Sequence, residues 1–460
     1  MATPPCFTAA AGTGVHLRPL RFPPHSPRPP RQLPALLLAG LLTTAAATAQ
    51  AYDLRTSPYL FGDWGGLRTS LAERGVTLNL GYTGEAAHNF SGGQDKLTRY
   101  TDQWVFGATM DLDKLLGWHG GTFQMTITDR NGRNLGADAG IGNNMLIQEV
   151  YGRGQTWHMT QFWLNQSFLD NRVQWKIGRL TVGEDFASFS CDFQNLTFCG
   201  AQPGNLVGSY WVNWPTSQWA TRLKVSTSEQ TYVQAGVYQV NPNYVDDGYA
   251  RRHGLSLDNP NGTTGALIPL EFGWLPAWNG LPGSYKFGAW YNTSNGADLY
   301  QDVNHASRGE TGLAPRERNG QYGIYINFEQ QVSGTAGGRG ASVFLNFSQA
   351  DRDTAAQDHQ IALGLQYKGP FGQARDVIGV AVGATHNNGR YADYVRQQDQ
   401  RLGTRTKVGD GYEYVAEAYY SWSPIPSIYL RPNLQYIRHP GGTSANHDAF
   451  IVGLKTGITF

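Results

Sequence analysis

The 460-residue chain carries 57 glycines, 13 tryptophans, 24 tyrosines and 20 phenylalanines, but only 15% of its residues are charged and its net charge is +1. The aromatic content excludes intrinsic disorder, the charge balance gives no basis for nucleic-acid binding, and a hydrophobic content of 40% excludes a bundle of membrane helices. This composition favours an all-β protein, a class that includes outer-membrane barrels because their polar lumen offsets their apolar outer belt.

The first fifty residues have the composition of an export signal. Four arginines and no acidic residue precede or accompany the apolar run from Leu33 to Ala49, which ends in small residues. This order is typical of a secretory signal, with cleavage near Ala49 or Ala51. A transmembrane anchor is the alternative, and it is disfavoured because the run is short and alanine-rich. We therefore assign residues 1–51 to a signal peptide with an unusual Pro/Arg-rich leader.

Residues 52–75 are predicted to form a periplasmic N-terminal segment with a short helix, because Gly65 to Arg74 has helical character. Period-2 alternation dominates after it and predicts strands. Sixteen are predicted, at about 76–90, 100–112, 121–130, 158–169, 172–180, 218–226, 230–240, 266–275, 283–293, 320–331, 341–349, 359–368, 376–386, 411–422, 427–437 and 448–460. Pro269 and Pro432 fall inside two of them, where a missing N–H is unfavourable.

The connection lengths predict which kind of β-protein this is. Every second connection is short, whereas the alternate set contains all the long ones, 131–157, 181–217, 241–265, 294–319 and 387–410. Short turns at one end and long loops at the other are typical of outer-membrane proteins, provided that the strand-like stretch Leu206–Trp214 is a loop. We therefore predict a transmembrane antiparallel up-and-down β-barrel over residues 76–460, wide enough for a water-filled lumen.

The last strand adds an independent sign of a lipid-facing barrel. Six alternate residues that end on the terminal phenylalanine share one face, namely Phe450, Val452, Leu454, Thr456, Ile458 and Phe460. A soluble sandwich has no need for such a stripe, whereas a barrel that closes in lipid has. Phe460 is accordingly predicted to be the assembly signal, and the barrel-assembly machinery and outer-membrane lipid with lipopolysaccharide are the expected partners.

The sequence contains little that indicates catalysis or metal binding. No catalytic motif is present, so we expect neither an enzyme nor a cofactor. Asp351 and Asp353 could bind calcium in a loop, although the rest of an EF-hand is missing. No metal site is predicted, and hydrogen bonds in loops are expected for His386, His439 and His447.

Cysteine usage agrees with export. Cys6 leaves with the signal, and Cys191 and Cys199 remain as an even pair. In an oxidising compartment such a pair is expected to form a disulfide, with two free thiols as the alternative.

The long connection 181–217 is the most informative segment for function. It carries Glu184 and Asp185, and the strands beside it direct basic side chains away from their apolar neighbours, namely Arg172, Lys176, Arg222 and Lys224. We predict that the segment folds inward and forms a constriction with these residues; the alternative leaves it outside. Other residues with lumen parity are Trp290, Glu329, Glu413, Arg431 and Gln435, with Glu271, Tyr325 and Glu417. Mixed charge with aromatic rings suits neutral polyols better than ions.

The stretch SPYLFGDWGGLRTSLAERGVTLNLGY at 57–82 resembles the N-terminal signature of OprB-type carbohydrate-selective porins. Later blocks are similar to that family as well: GRLTVGEDFA with CDFQNLTFCG, then EYVAEAYYSW and LQYIRHPGG. The resemblance implies a sixteen-stranded barrel of the bacterial outer membrane through which sugars diffuse, glucose-like monosaccharides above all. A general unselective porin is the alternative, and an outer-membrane enzyme or a secreted lectin is disfavoured. We expect a monomer or a homotrimer.

Overall fold

The computed structural model describes residues 53–460, and this part of the chain is built around one closed barrel. The predictions on residues 1–52, namely the signal, its cleavage site and the loss of Cys6, lie outside the described residues. Within the described part, no helix is long and apolar enough to span a membrane.

Nineteen strands are described, and sixteen of them form the barrel wall. In chain order they are β1 (Val76–Asn89), β2 (Thr98–Asp111), β3 (Gly121–Gly132), β4 (Trp157–Phe168), β5 (Val173–Leu180), β6 (Gln218–Ser226), β7 (Thr231–Val240), β8 (Gly265–Trp274), β9 (Ala277–Trp278), β10 (Leu281–Asn292), β11 (Gly296–Asp302), β12 (Pro315–Arg318), β13 (Gln321–Gln331), β14 (Gly340–Ala350), β15 (Gln357–Lys368), β16 (Val377–Asn387), β17 (Tyr412–Ile425), β18 (Ile428–Arg438) and β19 (Ala449–Thr459). All except β9, β11 and β12 belong to the wall, and β1 pairs with β19 to close it. The predicted fold is confirmed, since each predicted strand corresponds to one wall strand.

The helices are short and lie in the connections. They are α1 (Leu67–Glu73), α2 (Leu112–Leu116), α3 (Leu135–Asp138), α4 (Val182–Asp185), α5 (Pro203–Leu206), α6 (Asp247–His253), α7 (Arg308–Thr311) and α8 (Gly389–Leu402). The predicted helical character of Gly65 to Arg74 corresponds to α1, and the stretch Leu206–Trp214 is indeed loop rather than strand.

Alternation along each wall strand separates an apolar outer face from a polar inner face. On β19, Phe450, Val452 and Leu454 point outward and keep 37%, 36% and 40% of their surface exposed, whereas Lys455 points inward and is buried. The two prolines are accommodated in β8 and β18, where Pro269 lies opposite Trp290 in the register. An apolar belt outside a polar interior is the arrangement that a lipid bilayer requires of a barrel.

Long and short connections lie at opposite ends of the barrel, as predicted. The long ones are 133–156, 181–217, 241–264, 293–320 and 388–411. The tight turn 169–172 at the other end is typical of the short set. Asp170 and Asn171 in it adopt left-handed φ values of 53° and 66°, which these two residue types tolerate better than most.

Two of the long connections fill part of the barrel interior. Phe186 and Trp211 of segment 181–217 are fully buried, and Trp211 packs edge-on against Trp290 of β10 and Tyr325 of β13. Ile141 and Ile147 of segment 133–156 belong to a second buried cluster that includes residues of β17, β18 and β19. Segment 181–217 therefore folds inward, so its charged residues face the lumen wall.

The N-terminal segment packs against the end of the barrel where the chain closes. The Leu60 N–H donates to the Thr459 carbonyl at 2.7 Å, and the ring of Phe61 lies 5.4 Å from that of Phe460. The Arg68 guanidinium of α1 donates to the backbone carbonyl of Phe460. The first and last parts of the barrel-forming chain are thus held together by this segment.

Candidate constriction inside the barrel

A charge cluster forms where the inward segment meets the basic strands. Lys176 of β5 and Arg222 of β6 are direct partners in the strand register, and their side chains point into the lumen. Thr181 precedes the single turn of α4, which carries Asp185 to this position. The Asp185 Oδ1 atom lies 2.7 Å from the Lys176 Nζ and 3.3 Å from the Arg222 Nη2. One carboxylate of the segment therefore joins two neighbouring wall strands.

Hydrogen bonds from uncharged side chains hold both acidic side chains of α4 in place. The Tyr238 hydroxyl of β7 donates to Asp185 Oδ2 at 3.4 Å, and Gln161 of β4 donates to Glu184 Oε1 at 2.6 Å. Burial raises the pKa of the Glu184 carboxyl to about 7, against the opposing effect of the Lys176 ammonium. Burial therefore favours the protonated form of Glu184.

Three donors near this cluster have no hydrogen-bond partner among the described residues, and a fourth group, the Lys224 ammonium, is partly exposed. Arg222 Nε and Nη1 and the indole N–H of Trp163 are buried without a hydrogen-bond partner in the described part of the chain. Lys224, on the same inner face of β6 as Arg222, is half-buried, and its ammonium lies 3.9 Å from the centroid of the Tyr232 ring. Buried donors without acceptors are unfavourable, so an acceptor that reached them would be stabilised. Arg222 is only 5% exposed, however, so the half-buried Lys224 is the group that a solute can reach directly.

Elsewhere on the inner wall, carboxylates hold the inward segments instead. Glu413 and Glu417 are four residues apart on β17, so their side chains share one face of the strand. Both are buried, which places that face inside the barrel. Glu413 accepts hydrogen bonds from the N–H groups of Asn144 at 2.6 Å and Gly441 at 2.8 Å. Glu417 accepts from the N–H groups of Gln194 and Asn195, both at 2.8 Å. These two side chains replace the water that the loop backbone would otherwise need.

Two further groups act in the same way. Glu271 of β8 accepts the Ala187 N–H at 2.8 Å and the Tyr325 hydroxyl at 2.7 Å. The Lys455 ammonium of β19 lies 3.2 Å from Glu85 and 2.9 Å from Glu149. It also donates to the backbone carbonyls of Cys191 and Phe193, in the stretch from Cys191 to Cys199 that we call the cysteine loop. A disulfide joins Cys191 and Cys199 in that loop, the pair for which it is predicted.

The structure brings together most of the residues proposed for the constriction. Lys176, Arg222, Glu184 and Asp185 form the cluster, with Lys224 beside it. Arg172 is not among them. It lies in the exposed turn 169–172, because β5 begins only at Val173.

Four other residues of the predicted solute path lie beneath the inward segments. Glu413, Gln435 and Trp290 keep 0%, 1% and 3% of their surface exposed. Trp290 donates to the Tyr210 hydroxyl at 3.2 Å, and Gln435 donates to the Ile147 carbonyl at 3.2 Å. Arg431 lies 3.4 Å from Asp192 of the cysteine loop. Strand parity predicts on which side of the wall a side chain lies, but not whether a loop covers it. These four residues therefore face the lumen as predicted but contact the inward segments.

Glu329 belongs neither to the charge cluster nor to the residues that the inward segments cover. It is half-buried near the short-turn end of β13 and lines a cavity of about 230 Å³ together with Ser284 and Lys368. It stays in contact with the lumen outside the inward segments.

Asp351 and Asp353, which the sequence offered as calcium ligands, have other partners in the structure. Asp353 lies 3.2 Å from Arg318 and 3.2 Å from Arg390. Asp351 accepts the Asp353 N–H and the Thr354 hydroxyl, both at 3.0 Å. Arginines and local turn bonds therefore occupy these oxygens.

Residues that the sequence interpretation missed are neutral. Gln161, Gln234 and Tyr238 fix α4 to the wall, and no motif distinguishes them from other lumen-facing residues. The alternation of β7 shows that Gln234 and Tyr238 share a face, which is the signal that could have placed them.

Comparison with known proteins gives consistent similarities. A family model described as "Carbohydrate-selective porin, OprB family" matches residues 95–460. Porin B of Pseudomonas aeruginosa is 42% identical over 441 residues, which cover 91% of this chain and 95% of that protein. The putative porin QuiX of Acinetobacter baylyi is 33% identical over 460 residues, covering 92% of this chain and 98% of that protein. The high-pH structure of OprB from Pseudomonas putida superimposes with a TM-score of 0.85 at 41% identity, covering 88% of this chain and 99% of that one.

Proposed function

Because the chain belongs to the OprB family of carbohydrate-selective porins of the outer membrane, we propose that sugars cross its barrel at the cluster of Lys176, Arg222, Lys224 and α4. The protein is a non-enzymatic channel. The proposal concerns where solutes are selected and which sugars pass.

The observation that carries the proposal is the division of the Arg222 donors. One nitrogen binds Asp185, while Nε and Nη1 have no protein partner in the described chain. A sugar hydroxyl can accept from these donors once the side chains that cover Arg222, which is 5% exposed, move aside, and the half-buried Lys224 ammonium is the donor that it meets first. The binding has to remain weak, because a tight site would block diffusion.

The balance of charge supports neutral solutes at this cluster. Asp185 neutralises much of the field of Lys176 and Arg222, whereas a strongly single-signed lumen would attract ions. We propose that the preferred solutes are glucose-like monosaccharides, and that a general unselective porin is the second candidate.

A pair of arginine variants tests the site. Arg222→Ala should weaken sugar-induced block of ion current, since the loss of a net hydrogen-bond contribution of about 0.5–1.5 kcal/mol lowers affinity roughly two- to tenfold. It should also shift ion preference toward cations, because the lumen loses a positive charge. Arg172→Ala is the matched control, since that arginine is exposed in the turn 169–172 and should behave as wild type.

The substrate range is measured separately by liposome swelling. Monosaccharides are compared in the same proteoliposomes with amino acids and other polar solutes of matched size, and disaccharides and salts are measured in addition. Faster swelling with monosaccharides supports the proposal, and rates that follow molecular size alone support a general porin. Wild-type sugar block in Arg222→Ala would place the selective step elsewhere in the lumen.

A further inference from the structure

Two histidines and an aspartate converge at the outer end of the wall, away from the constriction. His359 of β15 and His386 of β16 are direct partners in the register, and Asp358 precedes His359. The Nδ1 atoms of the two histidines lie 2.8 Å and 2.6 Å from the same oxygen of Asp358, Oδ1. Three ligand-type atoms of this group lie within 4.8 Å of one another.

The surrounding residues hold these side chains in place. Asp358 is buried, and its second oxygen accepts a hydrogen bond from Arg352 at 2.9 Å. The imidazole rings stack with centroids 4.6 Å apart, and His359 Nε2 lies 2.9 Å from the Tyr412 hydroxyl. The group borders an open cavity of about 400 Å³.

We propose that His359 Nδ1, His386 Nδ1 and Asp358 Oδ1 bind a divalent transition-metal ion, with Zn²⁺ as the best match. Two imidazole nitrogens and one carboxylate oxygen are borderline ligands that suit Zn²⁺ better than calcium or magnesium. The adjacent open cavity leaves room for a fourth ligand.

Metal binding requires both imidazole rings to turn as well as to shift, because they are stacked with an interplanar angle of 16° and each nitrogen lone pair lies in its ring plane. Metal–ligand bonds of about 2.0–2.1 Å in a tetrahedron separate the ligand atoms by about 3.3 Å, so the histidines have to move from Asp358 Oδ1 by about half an ångström. With Nδ1 on the ion, each neutral ring carries its proton on Nε2. The Nε2–H of His359 then donates to the Tyr412 hydroxyl, and Arg352 orients the carboxylate, as outer-shell groups do at metal sites.

An ion at this position would join the outer ends of neighbouring strands. His359 and His386 come from β15 and β16, and Tyr412 begins β17. Strand β16 leads into the long connection 388–411, so the ion would stabilise the wall where this connection starts. The predicted role is structural, and the constriction residues do not take part in it.

Zinc titration of the whole protein tests the site. The untagged porin is purified in detergent, treated with a chelator and titrated with ZnCl₂ by calorimetry, while the melting temperature is followed with and without Zn²⁺. Wild type should bind one Zn²⁺ saturably and melt at a higher temperature with it. His359→Ala, His386→Ala and the double variant should lose at least tenfold in affinity together with the melting shift.

His439→Ala is the matched control, because this histidine lies in the next outer connection and outside the group. It should bind Zn²⁺ as wild type does. Asp358→Asn tests the carboxylate while keeping its shape, and it should weaken binding as well. Heat-modified mobility on gels and ion conductance, measured without Zn²⁺, verify that each variant is folded. Absence of saturable binding in wild type, or equal binding in the folded double variant, would overturn the proposal and leave the group a hydrogen-bonded link between two strands.

Discussion

Two regions of the inner wall use charged side chains differently. On β17, Glu413 and Glu417 are buried and accept backbone N–H groups of the inward segments. On β5 and β6, Lys176 and Arg222 meet one carboxylate, with unpaired donors beside them. Both regions hold an inward segment in place, and the second also contains buried donors that the segment leaves unpaired. The comparison shows that a polar side chain of lumen parity can be fully used by the segment that covers it or can keep polar atoms that the segment does not pair.

The largest effect is expected at a position that belongs to neither region. Phe460→Ala should reduce the amount of folded, heat-modifiable barrel in the outer membrane several-fold, with precursor accumulating. The ring stacks on Trp104 at 5.7 Å and packs against Phe61 at 5.4 Å, so its loss weakens closure of the barrel. Immunoblots of membrane fractions measure the effect.

Phe450→Ala is the control for this prediction, because Phe450 lies on the same outward face but at the far end of β19. It should assemble much better than Phe460→Ala. The Phe460→Ala molecules that do fold should keep wild-type sugar block, which would separate assembly from passage. Normal assembly of Phe460→Ala would show that the terminal ring is dispensable.

Removal of an anchor should have the next largest effect. Glu417→Ala leaves the buried N–H groups of Gln194 and Asn195 without an acceptor, at a cost of about 1–3 kcal/mol for such a group. The cysteine loop should loosen, single-channel conductance should rise and sugar block should fall, although Arg222 is unchanged. Planar-bilayer recordings check both quantities.

Glu417→Gln retains one acceptor oxygen and should lie between wild type and Glu417→Ala. Glu229→Ala removes an exposed carboxylate from a short turn and should change neither quantity. If Glu417→Ala conducts as wild type does, the loop is held without this carboxylate, and the distinction between the two regions is weaker than the hydrogen bonds indicate.

The smallest effect concerns the protonation of Glu184. Its pKa is raised by burial from an ordinary 4.5 to about 7, so the folded state favours the protonated carboxyl. The resulting stabilisation is fully present below pH 4.5 and is lost as the pH rises through about 7. Glu184→Gln imitates the protonated form, so the stability of wild type should fall relative to this variant across that range.

Melting temperatures of both proteins at pH 4.5, 6 and 8 give the difference, in which other titrating groups largely cancel. The cation preference of wild type should also rise over this range, because an ionised Glu184 adds negative charge to the lumen, whereas the variant should show a smaller change. Parallel pH profiles for the two proteins would mean that Glu184 has an ordinary pKa.

The sequence by itself determined the barrel. Alternation places apolar residues such as Val452 and Leu454 outward, and the alternation of short and long connections sets the direction of every strand. Both signals are local, because a side chain's face depends only on its parity along the strand. The match of the predicted strands to the wall strands follows from this.

The tertiary structure alone decided what each lumen-facing residue contacts. Arg222 and Glu413 have the same parity and are both buried, yet one meets a carboxylate of α4 and the other accepts loop backbone N–H groups. The path of segment 181–217 depends on contacts between residues far apart in the chain, such as Trp211 with Tyr325 and Lys455 with the cysteine loop. Such contacts leave no period or spacing in the sequence, because they arise only after the barrel has closed around the segment.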